Sequence, residues 1–161
     1  PGGVTTASAT VTVQPGPPPE GWDPRLDELG VFLEPAPVDP DEAHWALVEA
    51  RWADPIESAG LHHIFFEVLD ADGTRFVGQT VVVAWATGSV TLQIEDKPPP
   101  EYGANFPMSK GNTLGSFDAW VDGGEPSDRV TGMGLGTANE PDVNHHTSFY
   151  LTFQWVPGSE E

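Results

Sequence analysis

Between residues 147 and 155 apolar and polar side chains alternate without a break. Phe149, Leu151, Phe153 and Trp155 take one set of positions, and Ser148, Tyr150, Thr152 and Gln154 take the other. Successive side chains of an extended chain leave opposite faces, so this segment can bury its odd positions only as a strand laid against a core. Seven further short runs read the same way, at 30–34, 45–52, 61–69, 75–86, 90–95, 116–121 and 128–131. They are cut apart by many of the chain's 18 glycines and 17 prolines. Short strands with turn residues between them predict an all-β fold, an Ig-like antiparallel β-sandwich spanning residues 29–157.

Turn chemistry supports that reading. Asp70-Ala71-Asp72-Gly73 lies between two β-rich runs, and Asp and Gly accept the left-handed conformations a tight hairpin needs. Thr87-Gly88-Ser89 predicts a second hairpin. The segment 39–53 opens with Asp39-Pro40-Asp41-Glu42, as a helix does, and its Trp45, Leu47, Val48 and Trp52 fit either period. Strand is expected there, because the runs around it are strands. Residues 98–115 form a long apolar loop, and the glycines of 132–136 call for backbone freedom rather than side chains.

The start of the chain is built differently. Residues 1–14 alternate Ala7, Ala9, Val11 and Val13 with Thr6, Ser8, Thr10 and Thr12, as a half-buried strand does, with no partner strand nearby in sequence. Residues 15–28 follow as a Pro-rich linker, semi-rigid because proline fixes φ and lacks an N–H. A strand on a stiff spacer folds back poorly but reaches a neighbouring subunit, where it can complete an open sheet edge. Such a contact is head-to-tail and gives a filament or surface layer when its rotation does not close. The Thr-rich, Pro-flanked arm also suits O-linked glycans. Alternatively, the arm is the domain's own first strand or the end of a preceding domain.

Charge excludes some partners. Six Lys and Arg against 25 Asp and Glu leave a net charge of −19, which repels phosphate backbones and anionic membranes, so no nucleic acid is expected as partner. No window of 18 apolar residues predicts a membrane span, and no basic segment leading into an apolar run predicts a signal peptide within the chain as it stands. Leu, Ile, Val and Phe supply 37 residues, just above the roughly one-fifth share at which a strongly charged chain stops burying a core. The absence of cysteine removes thiol catalysis, cysteine-based zinc sites and disulfides. Acidity and Thr, Pro and Gly richness point to an extracellular, cell-surface location.

Several constellations invite chemistry. His62-His63 and His145-His146 each stand at the start of a predicted strand, with His44 apart. One imidazole from each pair plus Glu67 or Asp142 would make a metal site, whereas histidines bonded to backbone at strand ends explain the pattern without one. Asp70 and Asp72 resemble half of a calcium loop, and Asp118, Asp122, Glu125 and Asp128 gather around a turn, so Ca2+ is the expected ion if any binds. Plain turns explain both groups too. Glu95 and Asp96 beside the apolar loop are the best pair for glycoside hydrolysis, but carboxylates are too abundant for the pair to be diagnostic. No nucleophile elbow and no phosphate-cradling loop with its Lys are present, and no enzyme is expected.

Six Trp residues remain, most of them within predicted strands and so expected in the core. Trp22 and Tyr102 are the best candidates for exposed rings on which a sugar stacks, with Glu95 and Asp96 binding its hydroxyls.

The segments 66–73, 77–83 and 115–121 (FEVLDADG, VGQTVVV and GSFDAWV) resemble parts of Ig-like and carboxypeptidase-regulatory-like, transthyretin-type β-sandwich modules of bacterial surface proteins. In those, a pair like Gly78-Gln79 precedes a strand and a Gly-x-Phe strand follows. The resemblance covers about 60 residues and implies a non-catalytic module with structural, adhesive or sugar-binding duty. The combined expectation is a secreted structural subunit that self-associates into a homopolymer by donating its first strand. The alternative is a carbohydrate-binding module that holds a polysaccharide or other glycan.

Overall fold

The computed structural model describes residues 16–109 and 112–159. In chain order the elements are β1 (Gly21–Trp22), α1 (Arg25–Leu29), β2 (Phe32–Glu34), β3 (His44–Ala53), β4 (His63–Leu69), β5 (Thr80–Trp85), β6 (Gly88–Gln93), β7 (Ala104–Pro107), β8 (Phe117–Val121), β9 (Arg129–Met133) and β10 (Ser148–Val156). Two five-stranded sheets result, ordered β1-β3-β10-β4-β7 and β2-β9-β8-β5-β6. The fold is an all-β sandwich. No helix among the described residues is long and apolar enough to cross a membrane.

Alternation builds the core. In β10 the odd positions Phe149, Leu151 and Phe153 are buried. They meet Phe66 and Val68 of β4, and Val81, Val83 and Phe117 close the core from the other sheet. These eight fully buried side chains, at about 1.5–3 kcal/mol each, stabilise the interface on the order of 10–20 kcal/mol before entropy is counted. Within the segment 39–53, residues 40–43 form a turn and His44–Ala53 form β3, which pairs antiparallel with β10 with one register shift between Thr152 and Phe153.

Three details differ from the sequence expectations. First, β10 runs parallel to β4, and β1 parallel to β3, so the β1-β3-β10-β4-β7 sheet is mixed rather than purely antiparallel. Second, residues 21–28 of the segment expected as linker carry β1 and α1, with Leu26 and Leu29 buried against the core. Gly30 ends α1 in the left-handed region, φ 79°, where glycine carries no Cβ penalty. Third, the long apolar loop contains β7, which pairs with β4. The expected arm, with Ala7, Ala9, Val11 and Val13, lies outside the described residues.

Both turns form. Asp70 Oδ1 accepts the amides of Asp72 and Thr74, and Gly73 takes φ 85°. The second hairpin joins β5 to β6 through Ala86 and Thr87, with Trp85 opposite Gly88. The resemblance segments fall on β4 with its turn, on the lead into β5, and on β8.

Candidate functional site on the outer face of the mixed sheet

The register of four neighbouring strands lines up one outward row, Arg51 on β3, Tyr150 on β10, Phe65 on β4 and Asn105 on β7. Their neighbours along each strand, Ala50, Leu151, Phe66 and Ala104, point into the core. Phe65 and Tyr150 lie face to face, centroids 4.6 Å apart and planes within 10°. The Arg51 guanidinium stands 4.0 Å from the Tyr150 ring centre. Tyr102 meets both rings at steep angles, 5.2 Å from Tyr150 at 63° and 6.1 Å from Phe65 at 58°. The next row outward is Glu49, Thr152 and Glu67.

Tyr102 is held by the loop before β7, and that loop is held by Arg75. The Arg75 guanidinium binds Glu67 through Nε–Oε1 at 2.9 Å and Nη2–Oε2 at 2.6 Å. It also donates to the carbonyls of Lys97 and Glu101. One cation thus ties β4 to the 95–101 segment, a planar donor fork used on several acceptors at once. Glu67 raises the Arg75 pKa further by hydrogen bonding, so the clamp stays charged. Beside Tyr102 a groove of about 400 Å3 is lined by Asp96, Lys97, Pro99, Pro100 and Glu101. Burial, followed by the nearby Glu49 charge, pushes the Tyr102 phenol above its ordinary range, so it remains a neutral donor.

The aromatic strip continues into histidines. His63 lies 5.5 Å from Phe65, His62 lies 5.0 Å from His63, and His146 lies 5.3 Å from His62. Alternation along a strand should have sent His62 and His63 to opposite faces. β4 begins only at His63, however, and His62 is turned by its pairing with Met108, whose amide donates to the His62 carbonyl at 2.7 Å and whose carbonyl lies 2.5 Å from the His62 ring Nδ1. Burial first, and the adjacent His62 second, pull the His63 pKa below its usual value. The native state therefore binds this proton less readily than the unfolded chain. The associated stability is fully present above about pH 6.5 and falls as the pH drops below it. Thermal melts should show a loss of Tm from pH 7 to pH 5 that His63→Gln flattens. An equal slope in the variant would contradict this.

The other expected site residues go elsewhere. Trp22 is paired with the buried Ala50, packs against the core and donates Nε1–H to Asp27 at 3.0 Å, so it does not join Tyr102. Glu95 is exposed beside Lys97 at 3.6 Å, while Asp96 lies in the Tyr102 groove. His145 contacts Glu140, and the buried His44 contacts the Glu42 carbonyl through Nδ1. Glu67, offered as a metal ligand, is taken by Arg75. Both carboxylate oxygens of Asp128 accept backbone amides, and Asp118 accepts the Gly132 amide. Among the described residues no group of three or more His, Cys, Asp or Glu is arranged to hold a metal ion. Phe65, Tyr150 and Arg51 were missed, although an aromatic on the polar side of an alternating strand was a signal available for the first two.

Fold and site together define a β-sandwich with one aromatic outer face. No family model, curated protein or solved structure matches the chain.

Proposed function

We propose that this chain is a non-catalytic, extracellular β-sandwich module that binds a neutral saccharide against Tyr102, in keeping with the sandwich modules its sequence resembles. The observation that carries the reading is the arrangement of the rings. Phe65 and Tyr150 cover each other, Arg51 covers Tyr150, and Tyr102 lies across their edges with its own groove beside it. Tyr102 is thus the ring of this cluster that can offer a face to a sugar's C–H surface. Asp96 and Glu101 stand at the groove as acceptors for sugar hydroxyls. A net charge of −19 disfavours polyanionic glycans and leaves the neutral ones. Glu95 and Asp96 are adjacent and exposed rather than facing each other across a cleft, which supports binding without hydrolysis.

Affinity electrophoresis in gels carrying neutral polysaccharides tests the reading. The protein should be retarded by at least one of them, and Tyr102→Ala should weaken retention at least about fivefold, the loss of one ring-stacking contact worth about 1–3 kcal/mol by analogy with base stacking. Trp22→Phe, at the other end of the sheet, should leave retention unchanged. Unchanged mobility across the panel, or a Tyr102→Ala variant retarded like the parent, would overturn it.

A further inference from the structure

We propose a second interaction surface, independent of the saccharide face: the open edge of β6, which accepts residues 4–13 of another copy of this chain as an added strand. Of the four sheet edges among the described residues, three are blunted. β1 has two residues, β2 has three and runs into Pro35, and β7 has four and ends in Pro107. β6 has six, Gly-Ser-Val-Thr-Leu-Gln, with no charge, no proline and no irregularity in its pairing with β5. An edge of that length without the usual guards is a template for another strand. In a chain of charge −19 its neutrality is conspicuous, and residues 1–19 are uncharged as well. Beside the edge runs a groove of about 460 Å3 between β6 and β7, lined by Thr91, Leu92, Gln93, Glu95, Ala104 and Asn105. It can take the Ala7, Ala9, Val11 and Val13 side of an alternating strand.

Reach favours a second copy as the donor of the whole segment 4–13. The chain enters the described fold at Gly16, whose amide donates to Leu33 of β2 at 2.9 Å. β2 and β6 are opposite edges of one sheet, four strand spacings apart, about 19 Å at ~4.8 Å each. From Gly16 back to Val13 the chain spans at most about 11 Å, so the molecule's own arm cannot lay its last residues on its own β6. Donor exit and acceptor edge on opposite sides give a head-to-tail contact, which propagates instead of closing a dimer.

The test is sedimentation of the full chain over a hundredfold range of concentration, read beside amide exchange. The full chain should form oligomers that grow with concentration, with exchange at 88–93 slowed at least tenfold relative to a variant lacking residues 1–14. That variant should melt cooperatively as a monomer, since it keeps every buried core residue found among the described residues, from Leu26 onward. In the full-length chain, Thr91→Lys with Gln93→Lys, both at exposed positions, should raise the concentration needed for assembly at least tenfold. A full chain that stays monomeric throughout, a truncated chain that still assembles, or protection that appears away from β6 would each overturn the proposal.

Discussion

Asp128→Ala is expected to destabilise the sandwich by about 3–6 kcal/mol, the sum of two hydrogen bonds to a charged acceptor at ~1.5–3 each. Asp128 is 8% exposed and, among the described residues, forms no salt bridge; its Oδ1 accepts the Ala36 amide at 2.8 Å and its Oδ2 the Leu47 amide at 2.9 Å. Its own amide donates to the Trp45 carbonyl, and the Trp45 amide to the Pro126 carbonyl. One carboxylate therefore fastens the crossover from β2 to β3, the passage from one sheet to the other, onto the start of β9. Alanine leaves two amides near the core without acceptors. In a domain of this size the loss corresponds to a Tm lower by about 10 °C. Asparagine should recover little, because its NH2 would face one of those donors. Melts of the two variants that stay within about 1 kcal/mol of the parent would show that water replaces the carboxylate at no cost.

Gly134→Ala should be nearly as damaging for a different reason. A Cβ at this position would lie 2.0 Å from the Thr113 carbonyl oxygen and 2.4 Å from its carbon. Both are backbone atoms, and Leu135 donates to the Asn112 carbonyl on the same approach, so no side chain can swing away. A shift of the 112–115 segment is required, at a cost of about 3 kcal/mol or more. Gly88→Ala is the control. Its added Cβ would meet only the Trp85 side chain, at 3.5 Å and beyond, and it should stay within about 0.5 kcal/mol of the parent. Chemical denaturation that gives the two variants equal midpoints would contradict the close-approach account.

What was legible in the sequence follows from what periodicity encodes. β10 shows its inward face directly, because Phe149, Leu151 and Phe153 repeat every second residue, and β3 is read as a strand once its neighbours are. Alternation says which way a side chain points but not which strand lies beside it. The parallel β4–β10 pairing was therefore invisible, and so was the aromatic strip, which exists only where β3, β10 and β4 come together. Phe65 and Tyr150 each mark an aromatic at an outward position, but only the fold brings the two together, 4.6 Å apart, as one surface. β1 and β7 were hidden by their surroundings, since proline-rich flanks speak against a strand while an edge position tolerates them. The glycines of 132–136 were read for backbone freedom, and at Gly134 the reason proves to be space instead. The acidic turn around Asp128 suggested calcium ligands, yet both oxygens serve backbone amides, a use that sequence spacing cannot reveal.

The central claim is that Tyr102 and the groove beside it form a saccharide-binding face. The most direct measurement is amide hydrogen exchange of the full chain with and without the polysaccharide that retards it most. The account predicts slowed exchange confined to 95–105 and to the facing residues of β4 and β10, and its disappearance in Tyr102→Ala. Protection centred on another part of the sandwich, or none at saturating polysaccharide, would contradict it.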